Sequence, residues 1–228
     1  MSLQCVRKIA YISDIINVNN LSLQKESISK RIKEAILFGE KGHIYFIKDF
    51  ADYKNDALVT KVLYRLEKNK ILIRLAKGIY LYPVVTSFGI YYPSLDYIAK
   101  SIANRDKAKV MPTGSAALNL LGISTQVPMN AVYLTTGSSR VIKIGNRKIT
   151  FKRSAPKNLE YEGTLFPLVV IVMKELGEKN IDAPIMKQIE KILLKIDEQA
   201  TLSHDIALAP FWIRSLLLPI IRDKIISV

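Results

Sequence analysis

Helical and strand periodicities predict an α+β protein with a small N-terminal domain, a mixed α/β domain and a helical C-terminal extension. Three observations lead there. A helix, a short strand, two helices and a pair of strands follow one another in the first third; strands alternate with short helices over about residues 93–180; and apolar residues recur at helical spacing over residues 181–228. With 49% of its 228 residues hydrophobic, the chain has the composition of a folded protein with true cores. Its 34 Lys and Arg against 20 Asp and Glu leave a net charge of +14, a surplus that suits nucleic acid or anionic lipid. A solvated lysine-rich surface carries the same surplus, so placement decides its meaning.

Residues 1–23 read as a weakly helical arm, with Ile9, Ile12, Ile15 and Ile16 before the break at Asn17, Asn19 and Asn20. The first helix runs from Ser27 to Leu37 on Ile28, Ile32, Ala35 and Ile36, and Gly39 and Gly42 stop it. Ile44–Phe46 is a short strand, and a second short helix starts at Lys48–Ala51. Asn55 or Asp56 can cap a third helix, whose Val59, Val62, Leu63 and Leu66 fall at i, i+3, i+4 and i+7 and form its core face. The opposite face presents Thr60, Lys61, Tyr64, Arg65 and Lys68, side chains able to bond phosphates or base edges. The strand Ile71–Leu75, the turn Ala76-Lys77-Gly78 and the strand Ile79–Tyr82 follow.

That order is the order of a winged helix-turn-helix, here residues 24–83, with the third helix as recognition helix and the hairpin as wing. Between Lys54 and Lys77, seven Lys and Arg stand against Asp56 and Glu67 alone. The expectation is double-stranded DNA as partner, with Thr60, Lys61, Tyr64 and Arg65 in the major groove and Lys68, Arg74 and Lys77 on phosphates. The plainer alternative is a solvated helix face.

A linker over residues 83–93 leads to an amphipathic helix carrying Leu95, Ile98, Ala99 and Ile102. Next come a strand at Val110–Pro112, a helix from Thr113 to Leu121 capped by Thr113 or Ser115, and a strand at Ala131–Thr136. Residues 140–144 and 148–152 flank Gly145-Asn146-Arg147 as a hairpin, and Leu165–Leu176 is apolar enough for a buried helix. Past residue 180, Ile185, Ile189, Ile192, Leu193 and Ile196 share a stripe, and a last helix runs from about Ala209 to Ile226, where Pro219 should kink or break it.

Candidate chemistry is sparse. Cys5 is the only thiol, which rules out an intrachain disulfide and a multi-Cys zinc site. His43 and His204 lie far apart, and Ser203, His204 and Asp205 are adjacent in sequence, which does not make a triad. Gly114-Ser115 resembles the Gly-Ser that nucleotidyltransferases set at a helix start to hold a phosphate, but the strand Val132–Thr136 lacks the paired carboxylates that would hold magnesium. No catalytic, cofactor-binding or metal-binding residue is therefore expected. Phe211, Trp212, Leu216, Leu217, Ile220 and Ile221 form a stripe that is either core or a partner surface. The N-terminus lacks a run of signal-peptide length and no apolar run reaches the ~18 residues of a membrane span, so the expectation is a cytoplasmic protein without membrane contact.

The segment from Ile71 through Leu75 to Tyr80, then Pro112-Thr113-Gly114-Ser115-Ala116-Ala117-Leu118-Asn119-Leu120-Leu121-Gly122, then the strand Ala131–Thr136 resembles the AbiEi-type antitoxins of type IV toxin-antitoxin systems. The resemblance covers about residues 27–178. It implies a non-enzymatic transcription regulator of a toxin-antitoxin or abortive-infection operon: a repressor of its own promoter that binds an inverted repeat as two copies and counteracts a co-encoded nucleotidyltransferase toxin. Two rival expectations stand beside it. One is a nucleotidyltransferase-like enzyme recruited to nucleic acid; the other is an interaction module whose basic surface docks on an acidic protein.

Overall fold

The computed structural model describes residues 28–197 and 199–226, so the expected arm over residues 1–23, Cys5 and Ser27 lie outside the described residues. The fold is mixed α+β. The chain divides into two compact units, residues 1–93 and 94–228. No helix among the described residues is long and apolar enough to cross a membrane.

In the first unit, α1 (residues 28–37) is followed by β1 (Ile44–Phe46), a 3-10 helix (Ile47–Tyr53), α2 (Asp56–Lys68), β2 (Ile73–Ala76) and β3 (Ile79–Leu81). Asn55, the first of the two expected caps, starts α2: its Oδ1 accepts the Leu58 N–H at 3.0 Å. The sheet order is β1-β3-β2, all antiparallel. β3 is therefore the middle strand, and Ile79, Tyr80 and Leu81 are all buried, which accounts for its lack of polar alternation. Ile32 and Ile36 of α1 meet Val59, Val62, Leu63 and Leu66 of α2, together with Leu72 and Tyr80, in one apolar core. Gly78 turns the chain between β2 and β3 at φ +72°, a conformation that favours glycine. Lysine takes the same left-handed region at Lys54 (φ 49°), Lys70 (φ 58°) and Lys107 (φ 52°).

Residues 83–93, expected as a linker, contain a hairpin of β4 (Val84–Thr86) and β5 (Gly89–Tyr91). The turn between them is Ser87-Phe88 instead of an Asn-Gly or Asp-Gly pair, and three-residue strands are too short to display a period.

In the second unit, α3 (Leu95–Arg105) precedes β6 (Val110–Thr113), α4 (Gly114–Leu120), β7 (Asn130–Thr135), β8 (Arg140–Ile144) and β9 (Arg147–Arg153). These strands form one sheet of order β6-β7-β9-β8, in which β7 and β9 run parallel and the other pairs antiparallel. Ala131, Tyr133, Thr135, Ile149 and Phe151 point to one buried face. On it the Tyr133 hydroxyl donates to Asp96 Oδ1 of α3 at 3.3 Å. Thr113, the first of the two expected caps, stands at the N-cap of α4 but makes no side-chain cap hydrogen bond, because its hydroxyl donates across the sheet to the Val132 carbonyl at 3.2 Å. After α3, Asp106 lies between the Arg105 and Arg140 guanidiniums, and Arg140 in turn covers the Phe151 ring.

α5 (Leu165–Leu176) is apolar nearly all round, and α6 (Ala183–Leu193), α7 (Gln199–Leu208) and α8 (Phe211–Ile226) enclose it. Ile189, Leu193, Leu202, Ile206, Ile213, Leu217 and Ile221 share a core with Phe166, Val169, Val170 and Met173, so the helices beyond residue 180 complete the burial of α5. α7 is a helix of its own, and α8 begins at Phe211 after Pro210, two residues later than expected. Pro219 sits inside α8 without breaking it.

Asp205 is fully buried and fastens this bundle: its two oxygens accept the Glu162 and Gly163 backbone N–H groups, each at 2.9 Å, just before α5. Replacing Asp205 by Ala strands both donors, and thermal or urea unfolding is expected to show a loss of about 2–3 kcal/mol. Asp205→Asn, which keeps one oxygen, is expected to lose less. At Asp106, burial would raise the carboxyl pKa, but hydrogen bonds and charge from Arg105 and Arg140 outweigh it and hold the pKa below its ordinary value. A folded-state pKa below the unfolded value adds stability that is present above about pH 4 and is lost as pH falls through the lower, folded value. Urea midpoints taken at neutral pH and near pH 3 are expected to converge between wild type and Asp106→Asn as the pH drops.

Candidate nucleic-acid interface

A helix that buries Val59, Val62, Leu63 and Leu66 must turn the residues between them to solvent. Thr60, Lys61, Tyr64, Arg65 and Lys68 are all exposed on α2, and so are Arg74 on β2 and Lys77 in the β2–β3 turn. All seven residues of the expected interface thus lie on the surface of one compact unit.

The helix and the hairpin are held to each other at the C-terminal end of α2. The Leu66 carbonyl accepts the Ile71 N–H at 2.9 Å and the Leu72 N–H at 3.2 Å, so the chain enters the hairpin from a defined point on the last helical turn. Leu66, Leu72 and Tyr80 then share the core beneath the surface. A register shift between Arg74 and Ala76 marks a bulge in β2 beside Arg74, and bulges re-aim the side chains they adjoin.

Among the described residues, Lys61, Arg65, Lys68, Arg74 and Lys77 form no salt bridge. Lys68 Nζ stands 5.4 Å from the centroid of the Tyr64 ring, a cation–π contact that orders both side chains and leaves the ammonium in water. The Thr60 hydroxyl donates to the Asp56 carbonyl at 2.7 Å, so toward a ligand it is left as an acceptor.

The two nearby carboxylates do little to neutralise this face. Asp56 lies in the first turn of α2, where the helix dipole favours a negative charge. Glu67 sits near the Tyr80 phenol, with its Oε2 buried and lacking a hydrogen-bond partner among the described residues. Burial raises the Tyr80 pKa, Arg74 opposes that rise and Glu67 adds to it.

Three further cations have a placement that only three dimensions reveal. Lys54 and Lys70 bracket α2 at positive φ, both exposed, and no sequence signal marks a lysine for that conformation. Arg31 of α1 lies over the Tyr53 ring at 5.4 Å, a pairing between residues 22 apart in sequence that periodicity does not reveal.

The other residues singled out in the sequence lie elsewhere. Gly114 opens α4 at φ +57° and Ser115 is exposed; the next strand, β7, carries no Asp or Glu. His43 is exposed with its ring edge-on to Tyr45 at 4.7 Å. His204 Nδ1 lies 3.1 Å from Asp205 Oδ1, whose carboxylate is already engaged by the loop before α5. The stripe on α8 is divided: Leu217 and Ile221 belong to the core, Trp212 and Ile220 are half-buried, and Phe211 and Leu216 are exposed. Among the described residues, no three His, Cys, Asp or Glu side chains gather as a metal site.

No curated protein matches the chain. The model of a family described as a family of unknown function (DUF6088) matches residues 31–201, which span the basic face of α2, the β2–β3 hairpin and the whole sheet of the second unit. On that match over three quarters of its length, the chain belongs to the DUF6088 family.

Proposed function

We propose that the chain is a sequence-specific DNA-binding autorepressor whose first unit is a winged helix-turn-helix, with α2 as recognition helix and the β2–β3 hairpin as wing. The observation that carries this reading is a row of exposed cations, Lys61, Arg65, Lys68, Arg74 and Lys77, without salt bridges among the described residues, on a helix and hairpin tied together at Leu66. Charged groups left unpaired on a rigid support can exchange counterions for phosphates without first breaking internal bonds. In this arrangement Thr60, Lys61, Tyr64 and Arg65 enter the major groove while Lys68, Arg74 and Lys77 hold the backbone.

The antitoxin role rests on the resemblance of the Pro112–Gly122 and Ala131–Thr136 segments to the AbiEi-type antitoxins. In that role the chain represses its own operon in the cytoplasm and counteracts a co-encoded nucleotidyltransferase toxin without catalysis of its own. Growth rescue tests it. Expression of a neighbouring nucleotidyltransferase gene is expected to arrest growth and co-expression of this chain to restore it; arrest that this chain does not relieve rejects the antitoxin role.

DNA binding is measured by fluorescence anisotropy on the chain's own promoter and on scrambled DNA of equal length, at two salt concentrations. Lys61→Ala with Arg65→Ala is expected to weaken promoter binding at least about tenfold, at roughly 1–3 kcal/mol per lost base contact, and to leave the circular dichroism unchanged. Lys68→Ala is expected to weaken promoter and scrambled DNA alike and to reduce the slope of log K against log salt by about 0.9. Unchanged promoter binding by the double variant rejects the docking arrangement.

A further inference from the structure

The β4–β5 hairpin carries an exposed apolar surface. Phe88 at its tip is fully exposed, Val85 is 70% exposed and Ile90 is 45% exposed. Val85 and Ile90 are direct cross-strand partners and so share one face of the hairpin, and Phe88 is exposed at the turn beyond them. Among the described residues the two strands form a sheet of their own with no third strand, which leaves both edges without a strand partner there. In an antiparallel pair every second residue turns its N–H and C=O away from the partner strand, so these edges offer unsatisfied backbone groups to another strand.

The tip is held in shape. The Thr86 hydroxyl donates to the Gly89 carbonyl at 2.9 Å and accepts the Phe88 N–H at 3.2 Å. A Phe ring fully in water at a pre-formed turn adds nothing to the core of its own chain, while it would add much to a contact.

Charge indicates what that contact is. The chain carries +14, so two copies repel one another over most of their surface. From Gly78 through Leu95 no Lys, Arg, Asp or Glu occurs, and the hairpin lies inside this neutral stretch. An acidic partner would be drawn to the lysines elsewhere, whereas a second copy that approaches here meets no Lys or Arg of the hairpin itself. An antiparallel strand edge is also its own complement about a two-fold axis. We propose that the β4–β5 hairpin is a self-docking surface on which the same hairpin of a second copy of this chain seats, edge to edge, with Val85, Phe88 and Ile90 of both copies closing a shared apolar face.

Sedimentation of the full chain in the absence of DNA tests self-docking independently of DNA binding. The wild type is expected at twice the chain mass of 25.8 kDa. Because salt screens the repulsion of the two cationic copies, the dimer is expected to strengthen at higher salt, the opposite sense to DNA binding. Phe88→Asp and Val85→Lys, both at exposed positions, are each expected to sediment as monomers with unchanged circular dichroism. Mixing Val85→Lys with Val85→Glu is expected to restore the dimer, since opposite charges then meet. A wild type that stays monomeric at its highest soluble concentration overturns the proposal, and so does a dimer that persists in both Phe88→Asp and Val85→Lys.

Discussion

The carbonyl of Leu66 is the joint between the helix and the hairpin of the first unit. By accepting the N–H groups of both Ile71 and Leu72, it converts the end of α2 into the beginning of a hairpin with almost no slack between them. Leu66 and Leu72 then bury their side chains against Tyr80, so the backbone joint is also an apolar joint. Side chains seven or more residues apart in sequence, such as Lys61 and Arg74, are thereby set on one rigid body. A ligand that binds both does not have to order a flexible connection first.

The second unit solves a different problem. α5 is apolar over most of its circumference, and one sheet cannot cover it. The chain answers by wrapping α6, α7 and α8 around it and by fastening α7 to the loop before α5 through Asp205. A buried carboxylate is costly unless its oxygens are bonded, and here backbone donors that would otherwise be orphaned meet that need. One side chain therefore settles two burial costs at once.

Elements of the first unit down to β3 are legible in the sequence because each has one strong signal: the i, i+3, i+4, i+7 spacing in α2, the Asn55 cap, and the glycine at the β2–β3 turn. The exposure of Thr60, Lys61, Tyr64, Arg65 and Lys68 follows from the same spacing, since a helix with one core face must expose the other. What escaped depends on tertiary contacts or on weak local chemistry. The β4–β5 hairpin has strands too short for a period and a turn without the usual residues. Thr113 has the chemistry of a cap and uses it on a neighbouring strand, and the separate α7 is hidden in a stretch that is helical on both sides. The positive φ of three lysines and the placing of Arg31 over Tyr53 have no sequence signature.

Those lysines shape how the sequence can drift. Lys54, Lys70 and Lys107 hold a backbone conformation that costs an ordinary residue about 1–2 kcal/mol, costs glycine little and asparagine somewhat less than most. Exchange to Gly or Asn at these sites removes a positive charge and relaxes the chain in the same step, whereas Val, Ile or Thr would deepen the strain. The first two sites flank α2 on both sides. Relatives could therefore shed cations around α2 at no cost in folding, so that a lysine retained at either position would reflect selection on the surface and not on the fold.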